Sequence, residues 1–116
     1  MQNKRRLGNE KEELAAGYLK EHGVILLAKN FYFRGGELDL VAKDGEYICF
    51  IEVKYRKNAA FGYPEESVSP VKKRNILHGA RLFLYQNHFP EETPCRFDVI
   101  AIMNDEIKWI KDAFGM

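Results

Sequence analysis

The sequence predicts a single α/β domain: a mixed β-sheet flanked by helices, with elements in the order α-β-β-β-α-β-β. Three observations carry that expectation. Apolar residues recur at helical spacing in two separate stretches. Asp44-Gly45 is a strong two-residue hairpin signal between two strand patterns. Tyr47 to Arg56 is rich in β-branched and aromatic residues and apolar on both faces, the pattern of a buried central strand. A strand, a crossover helix and a further strand make a right-handed parallel unit, so the sheet is mixed. Whether helices and sheet stack in two layers or three is left open by the pattern.

Met1 to Arg6 is polar and basic and expected to fray. A helix follows from Asn9 to Glu21, with Leu14, Ala15, Tyr18 and Leu19 as its apolar stripe and Gly23 as its stop. Glu12 flanks that stripe beside Ala16 and Leu19, while Glu13 points away. Lys11 falls near the middle of the stripe, so either the first turn overhangs the core or Lys11 snorkels. Val24 to Leu27 and Phe31 to Phe33 form a first strand interrupted at Lys29-Asn30, and Arg34-Gly35-Gly36 turns the chain. Glu37 to Ala42 alternates as a second strand, antiparallel to the central one across the Asp44-Gly45 hairpin.

Lys57 to Glu66 reads as a loop. Ser69 is a candidate N-cap with Pro70 at the first helical position. Ile76, Ala80, Phe83 and Leu84 form the buried face of this second helix, which ends between Asn87 and Pro90. After a turn over Glu91 to Pro94, Phe97 to Met103 is an apolar strand. Asn104-Asp105 turns it into a last strand, Glu106 to Ile110.

At 116 residues the chain holds one domain with one real core. A hydrophobic content of 46% with 30% charged residues fits a soluble globular protein. The absence of a long apolar run or a signal-peptide core predicts a cytoplasmic protein with no membrane association. Cys49 and Cys95 have neither disulfide-framework nor zinc-type spacing and read as reduced thiols. The net charge of +1 does not demand a nucleic-acid partner, so any basic surface must be gathered locally.

The central strand breaks its own pattern. Glu52 and Lys54 lie two apart, on the same face as Ile48 and Phe50, with Cys49, Ile51 and Val53 facing the other way. A charge on such a strand is tolerated when it is paired or bound to a metal. The hairpin brings Asp39 toward Glu52, with Glu37 on the same strand and Glu12 reaching in from the first helix. Asp39 and Glu52 are the carboxylate pair that Mg²⁺ needs alongside water and phosphate oxygens. Lys54 would then orient or activate a water that attacks a phosphodiester. The alternative is a cross-strand ion pair on a half-exposed face.

Arg34, Arg56 and Lys57 border this constellation in sequence, and Lys72, Lys73 and Arg74 open the second helix. They are suited either to phosphate-backbone contact or to a solvated surface. His22, His78 and His88 lack ligand spacing. Phe61 and Tyr63 in the loop are candidates for base stacking or for simple packing.

Three blocks in order, Gly36-Glu37-Leu38-Asp39-Leu40-Val41-Ala42, Phe50-Ile51-Glu52-Val53-Lys54-Tyr55-Arg56 and Arg96-Phe97-Asp98-Val99-Ile100, resemble the signature blocks of the YraN family of small bacterial proteins. The resemblance runs from the first helix to Ile102. It implies the restriction-endonuclease-like (PD-(D/E)XK) fold, similar to archaeal Holliday-junction resolvases. On that resemblance Asp39 and Glu52 are metal-binding acids, Lys54 is the catalytic lysine and Glu12 completes the metal site. Arg56 and Lys72 match basic positions suited to phosphate. Two residues depart from the family pattern: Lys11 stands where Gly is common, and Tyr55 where Thr is common.

The resulting expectation is a metal-dependent DNA endonuclease, structure-selective for branched DNA and acting in recombination or repair. Mg²⁺ or Mn²⁺ would be held by Asp39, Glu52, the Val53 carbonyl and Glu12, and the resemblance also implies a homodimer. The alternative function is a catalytically inactive nucleic-acid-binding or adaptor module on the same fold.

Overall fold

The computed structural model describes residues 4–56, 68–104 and 106–114. It contains α1 (Lys4–Glu21), β1 (Ile25–Phe33), β2 (Gly36–Asp44), β3 (Tyr47–Arg56), α2 (Pro70–Gln86), β4 (Cys95–Met103) and β5 (Glu106–Ile110), in the expected order. One five-stranded sheet runs β1-β2-β3-β4-β5. Every neighbouring pair is antiparallel except β3 and β4, which run parallel and are joined through α2. The predicted loop over Lys57 to Glu66, with Lys57, Phe61 and Tyr63, lies outside the described residues. Among the described residues, no helix is long and apolar enough to cross a membrane.

Three layers form, because β3 is apolar on both faces and each face needs its own cover. Ile48 and Phe50 pack with Ile76, Ala80 and Phe83 of α2. Cys49 and Ile51 pack with Ala15, Ala16 and Leu19 of α1, together with Ile100 and Ile102 of β4. A strand buried this way reads as a continuous apolar run, which is why its bounds match the sequence expectation.

The α2 cap also matches. Ser69 is extended at φ −74°, its Oγ accepts from the Lys72 N–H, and Pro70 occupies the first turn. Gly79 faces the Phe33 ring at the contact of α2 with β1. A Cβ there would come within 2.3 Å of that ring, so the close approach requires glycine.

Elsewhere the elements shift. Helix α1 begins at Lys4, five residues before the predicted Asn9; Lys4 to Leu7 are good helix formers and the helix runs on through Gly8. Its buried stripe is Glu12, Ala15, Ala16 and Leu19, whereas Leu14 is 43% exposed. Counting only hydrophobic residues misplaces the stripe, because one of its four positions is a carboxylate. Strand β1 is continuous through the predicted interruption, but Asn30 takes a left-handed φ of 54° and the register slips between Leu26 and Ala28. The β2–β3 turn sits one residue later than predicted: Asp44 still pairs with Tyr47, and Gly45 takes the positive φ of 62°.

At the far end of the α1 face, a second buried acid ties the C-terminal strands together. Asp98 is fully buried and accepts from Arg96 Nε at 3.0 Å, Trp109 Nε1 at 2.8 Å and the Asp112 N–H at 2.9 Å. Arg96 also reaches Asp44 at 2.9 Å, and its guanidinium pKa is raised by the Asp98 hydrogen bonds. The third signature block is thus a structural clamp joining β2, β4 and β5. Burial of the neighbouring Cys49 pushes its thiol up to about 11, so it stays protonated.

Breaking this clamp leaves a half-buried guanidinium, the Trp109 N–H and the Asp112 N–H without their shared partner. Asp98→Ala is expected to lower the unfolding free energy by about 3–5 kcal/mol in urea titrations. A loss near that of a surface substitution, within about 0.5 kcal/mol, would show that the clamp is not structural.

Candidate functional site

The site begins where β2 leaves β3. The two strands pair from Asp44 to Leu40, opposite Tyr47 to Ile51, and the described ladder stops there. Leu38 and Leu40 are two apart yet belong to opposite core clusters, so β2 turns over at Asp39. On the other side, Lys29 pairs with Leu40 and Phe31 with Leu38, bracketing Asn30 and its positive φ. The kink frees the Asp39 carboxylate from strand alternation. Its Oδ2 accepts the Val53 N–H at 2.9 Å, so a side chain fills the place of a ladder hydrogen bond.

Around Asp39 gather the other acids. Single carboxylate oxygens of Glu12, Glu37 and Asp39 lie within 4.8 Å of one another, the one such group found among the described residues. Glu12 comes from the buried stripe of α1 and is 9% exposed; Asp39 is 8% exposed. Glu12 Oε1 and Glu37 Oε2 are buried without any hydrogen-bond partner. Three mutually repelling carboxylates, two with orphaned oxygens, are what a hard divalent cation would satisfy, since such ions take oxygen donors.

The electrostatics agree with the crowding. Burial first, then the Glu52 charge, push the Asp39 carboxyl up to about 8, against the pull of the Val53 N–H. Glu12 is likewise raised, by burial and then by Glu37, while a hydrogen bond from the Asn30 side chain opposes the rise. Asn30 is therefore part of the site through both its backbone kink and its amide. Sequence reasoning reduced it to a strand interruption. An Asn inside a strand pattern, the residue that best tolerates positive φ after Gly, was the available signal.

Glu52 lies on the α2 side with the basic residues. Its carboxylate is 6% exposed at the side chain and pairs with Lys72, while Lys54 Nζ stands 3.7 Å from Oε1. Glu52 is not one of the three clustered ligands, although its charge acts on Asp39. Burial lowers the Lys54 pKa, with Lys72 adding to the fall and Glu52 opposing it. At Lys72 burial is the largest influence and pulls downward, but the Glu52 hydrogen bond and charge, with smaller help from Lys54 and Asp39, together outweigh it and the pKa is raised. Val53 has its described contact with the site through its N–H, not its carbonyl.

A cleft of about 270 Å³ opens onto both halves of this constellation, lined by Glu37, Asp39, Glu52 and Lys72, with the Gly35-Gly36 turn and Ser69 at its sides. Arg34 is exposed in that same turn. Arg56 ends β3, and its Nη1 donates to the Tyr55 carbonyl at 2.9 Å. The two departures from the family pattern meet each other: Lys11 Nζ sits 4.2 Å above the Tyr55 ring. Lys11 thus snorkels over an aromatic face, which leaves Glu12 free to face the site. Glu13, pointing away as predicted, pairs with Lys29.

Residues 11–102 match the model of the family described as "Uncharacterised protein family UPF0102". A UPF0102 protein of Lachnoclostridium phytofermentans is 47% identical over 112 residues, covering 97% of this chain and 95% of that protein. A UPF0102 protein of Klebsiella pneumoniae is 43% identical over 109 residues, 93% of this chain and 85% of its own length. A Salmonella newport protein named YraN is 39% identical over 113 residues, covering 97% and 86% of the two chains.

Because the Asp39 pKa is raised from 3.8 to about 8, the folded metal-free protein holds a proton there that the unfolded chain releases. Asp39 therefore stabilises the fold least at high pH: its contribution falls as pH rises from about 4 to about 8. Asp39→Asn, which keeps an acceptor for the Val53 N–H, is expected to raise the metal-free Tm by several degrees at pH 8 and hardly at all at pH 4. Thermal melts of the two proteins across that range check this. Parallel Tm profiles would show that the carboxylate is not perturbed.

Proposed function

This chain belongs to the UPF0102 family, and from that premise we propose that it is a metal-dependent endonuclease that hydrolyses phosphodiester bonds in DNA. The observation that carries the proposal is the pair of orphaned, buried carboxylate oxygens of Glu12 and Glu37 beside Asp39, next to a cleft lined by Glu52 and Lys72, with Lys54 3.7 Å from Glu52. A buried ionised group without a partner is strongly disfavoured, so an arrangement of this kind is understandable when something cationic completes it.

Glu12, Glu37 and Asp39 would hold a Mg²⁺ or Mn²⁺ ion, with Glu52 and the Val53 carbonyl as further donors. When bound, the ion supplies Lewis acidity toward phosphoryl oxygens and a template for the attacking water. The chain's own residues do the remainder. Lys54, with its pKa lowered, orients the water and offsets phosphate charge. Glu52 fixes Lys54 and Lys72 in the cleft. Arg34, Lys72, Arg56 and Lys57 would contact the phosphate backbone, positioning the substrate without reading its sequence. The resemblance of the YraN family to archaeal Holliday-junction resolvases supports a preference for branched DNA, and with it a homodimer acting in recombination or repair in the cytoplasm.

The second function, an inactive nucleic-acid-binding or adaptor module, draws on the net charge of +1, small for a lone protein that grips DNA. Nicking assays on four-way, flap and linear DNA with Mg²⁺ or Mn²⁺ separate the two. The endonuclease is expected to cleave branched forms, and Lys54→Ala or Asp39→Ala to lower the rate by about 100-fold or more. Salt-dependent binding without any cleavage, unchanged by Asp39→Asn, would instead establish the module.

A further inference from the structure

The carboxylates fall into two groups with Asp39 common to both. On one side Glu12, Glu37 and Asp39 are clustered, and two of their oxygens have no partner. On the other, Glu52 stands within the field of Asp39 and carries two ammonium groups, Lys72 in direct pairing and Lys54 at 3.7 Å. The second group is therefore already neutralised by protein cations, and only the first is short of positive charge. With all groups ionised, four carboxylates meet two lysines. The excess of two negative charges is what one divalent ion cancels.

We propose that Lys72 takes the place of a second metal ion, so that the site loads a single divalent cation while the Lys72 ammonium stays on Glu52. This rests on the acidic cluster being a metal site.

The placement of Lys72 supports a dedicated role. Lys72 lies in the first turn of α2, at the positive end of the helix dipole, in a turn with no acidic residue. Lys73 and Arg74 follow directly. Cations are disfavoured at that helix end, so local structure argues against Lys72 being there and the Glu52 contact argues for it. Its backbone serves the same end, since the Lys72 N–H donates to the Ser69 cap and fixes the turn against the cleft. The ammonium pairs with Glu52 and feels the charge of Asp39, the place where a second cation would otherwise be needed.

The test is metal stoichiometry, read without any substrate. Mn²⁺ titration at neutral pH, followed by isothermal calorimetry and by the electron paramagnetic resonance signal of free Mn²⁺, is expected to give one site in the wild-type chain. Lys72→Met keeps the apolar stem and is expected to bind two ions, and the second is expected to vanish in Lys72→Met/Glu52→Gln. Lys72 is half exposed on a helix surface; Lys72→Gln serves as an independent replacement, with circular dichroism confirming the fold. Two ions in the wild type, or one ion in both Lys72 variants, would overturn the proposal and leave the metal site intact. No Mn²⁺ bound by any of these proteins would overturn both.

Discussion

The constraint on which the site end of the sheet depends is the gathering of four carboxylates at one seam, three of them buried. Glu12, Glu37, Asp39 and Glu52 meet where α1, β2 and β3 converge. Such a concentration of like charge opposes folding unless cations, donors or protons relieve it. The irregularities at the seam supply these. The kink at Asn30 and Asp39 gives Asp39 a backbone donor and Glu12 an amide donor. The first turn of α2 brings Lys72 to Glu52, and β3 itself brings Lys54. What is left over is a carboxyl pKa pushed to about 8 and two orphaned oxygens, the residue of a charge problem that the chain does not solve alone.

The sheet and its two helices are the means of holding that seam rigid. Aromatic packing of Phe50 against Phe83 of α2 and Phe97 of β4 anchors β3 to both, with ring centroids 6.1 and 5.6 Å apart. The Arg96–Asp98 clamp does the same for β4 and β5 through hydrogen bonds rather than apolar packing. The two buried acidic sites contrast instructively. Asp98 has its oxygens saturated by Arg96, Trp109 and the Asp112 N–H, and it is inert. Glu12 and Glu37 each keep an oxygen without a partner, and Glu37 lines a cleft, which is the state expected of groups that act on something outside the chain.

The candidate site was legible in outline because strand alternation is local and strict. Glu52 and Lys54 share a face by spacing alone, and the hairpin delivers Asp39 from the neighbouring strand. Glu12 was placed beside the α1 stripe by the helical period, and the stripe indeed includes it. Glu37 stood among the acids in the sequence, but its part in the cluster depends on the turn-over of β2, which spacing does not reveal. The allocation of Glu52 to the lysines was equally hidden. Its partner Lys72 is twenty positions away, on a helix whose docking angle is set by Phe83, Ile76 and the Gly79–Phe33 contact.

The sequence by itself determined the order of elements, the central strand and its bounds, the α2 cap and the identity of most acids and bases in the site. These follow from periodicity, hairpin chemistry and the expense of charge on an apolar strand, all of which act over a few residues. The tertiary structure alone decided that the layers are three, that Asn30 belongs to the site, and that the carboxylates divide into a cation-poor trio and a lysine-bound fourth. Those outcomes depend on distances between elements far apart in the chain. Coulomb energies fall off with such distances, and no local spacing encodes them.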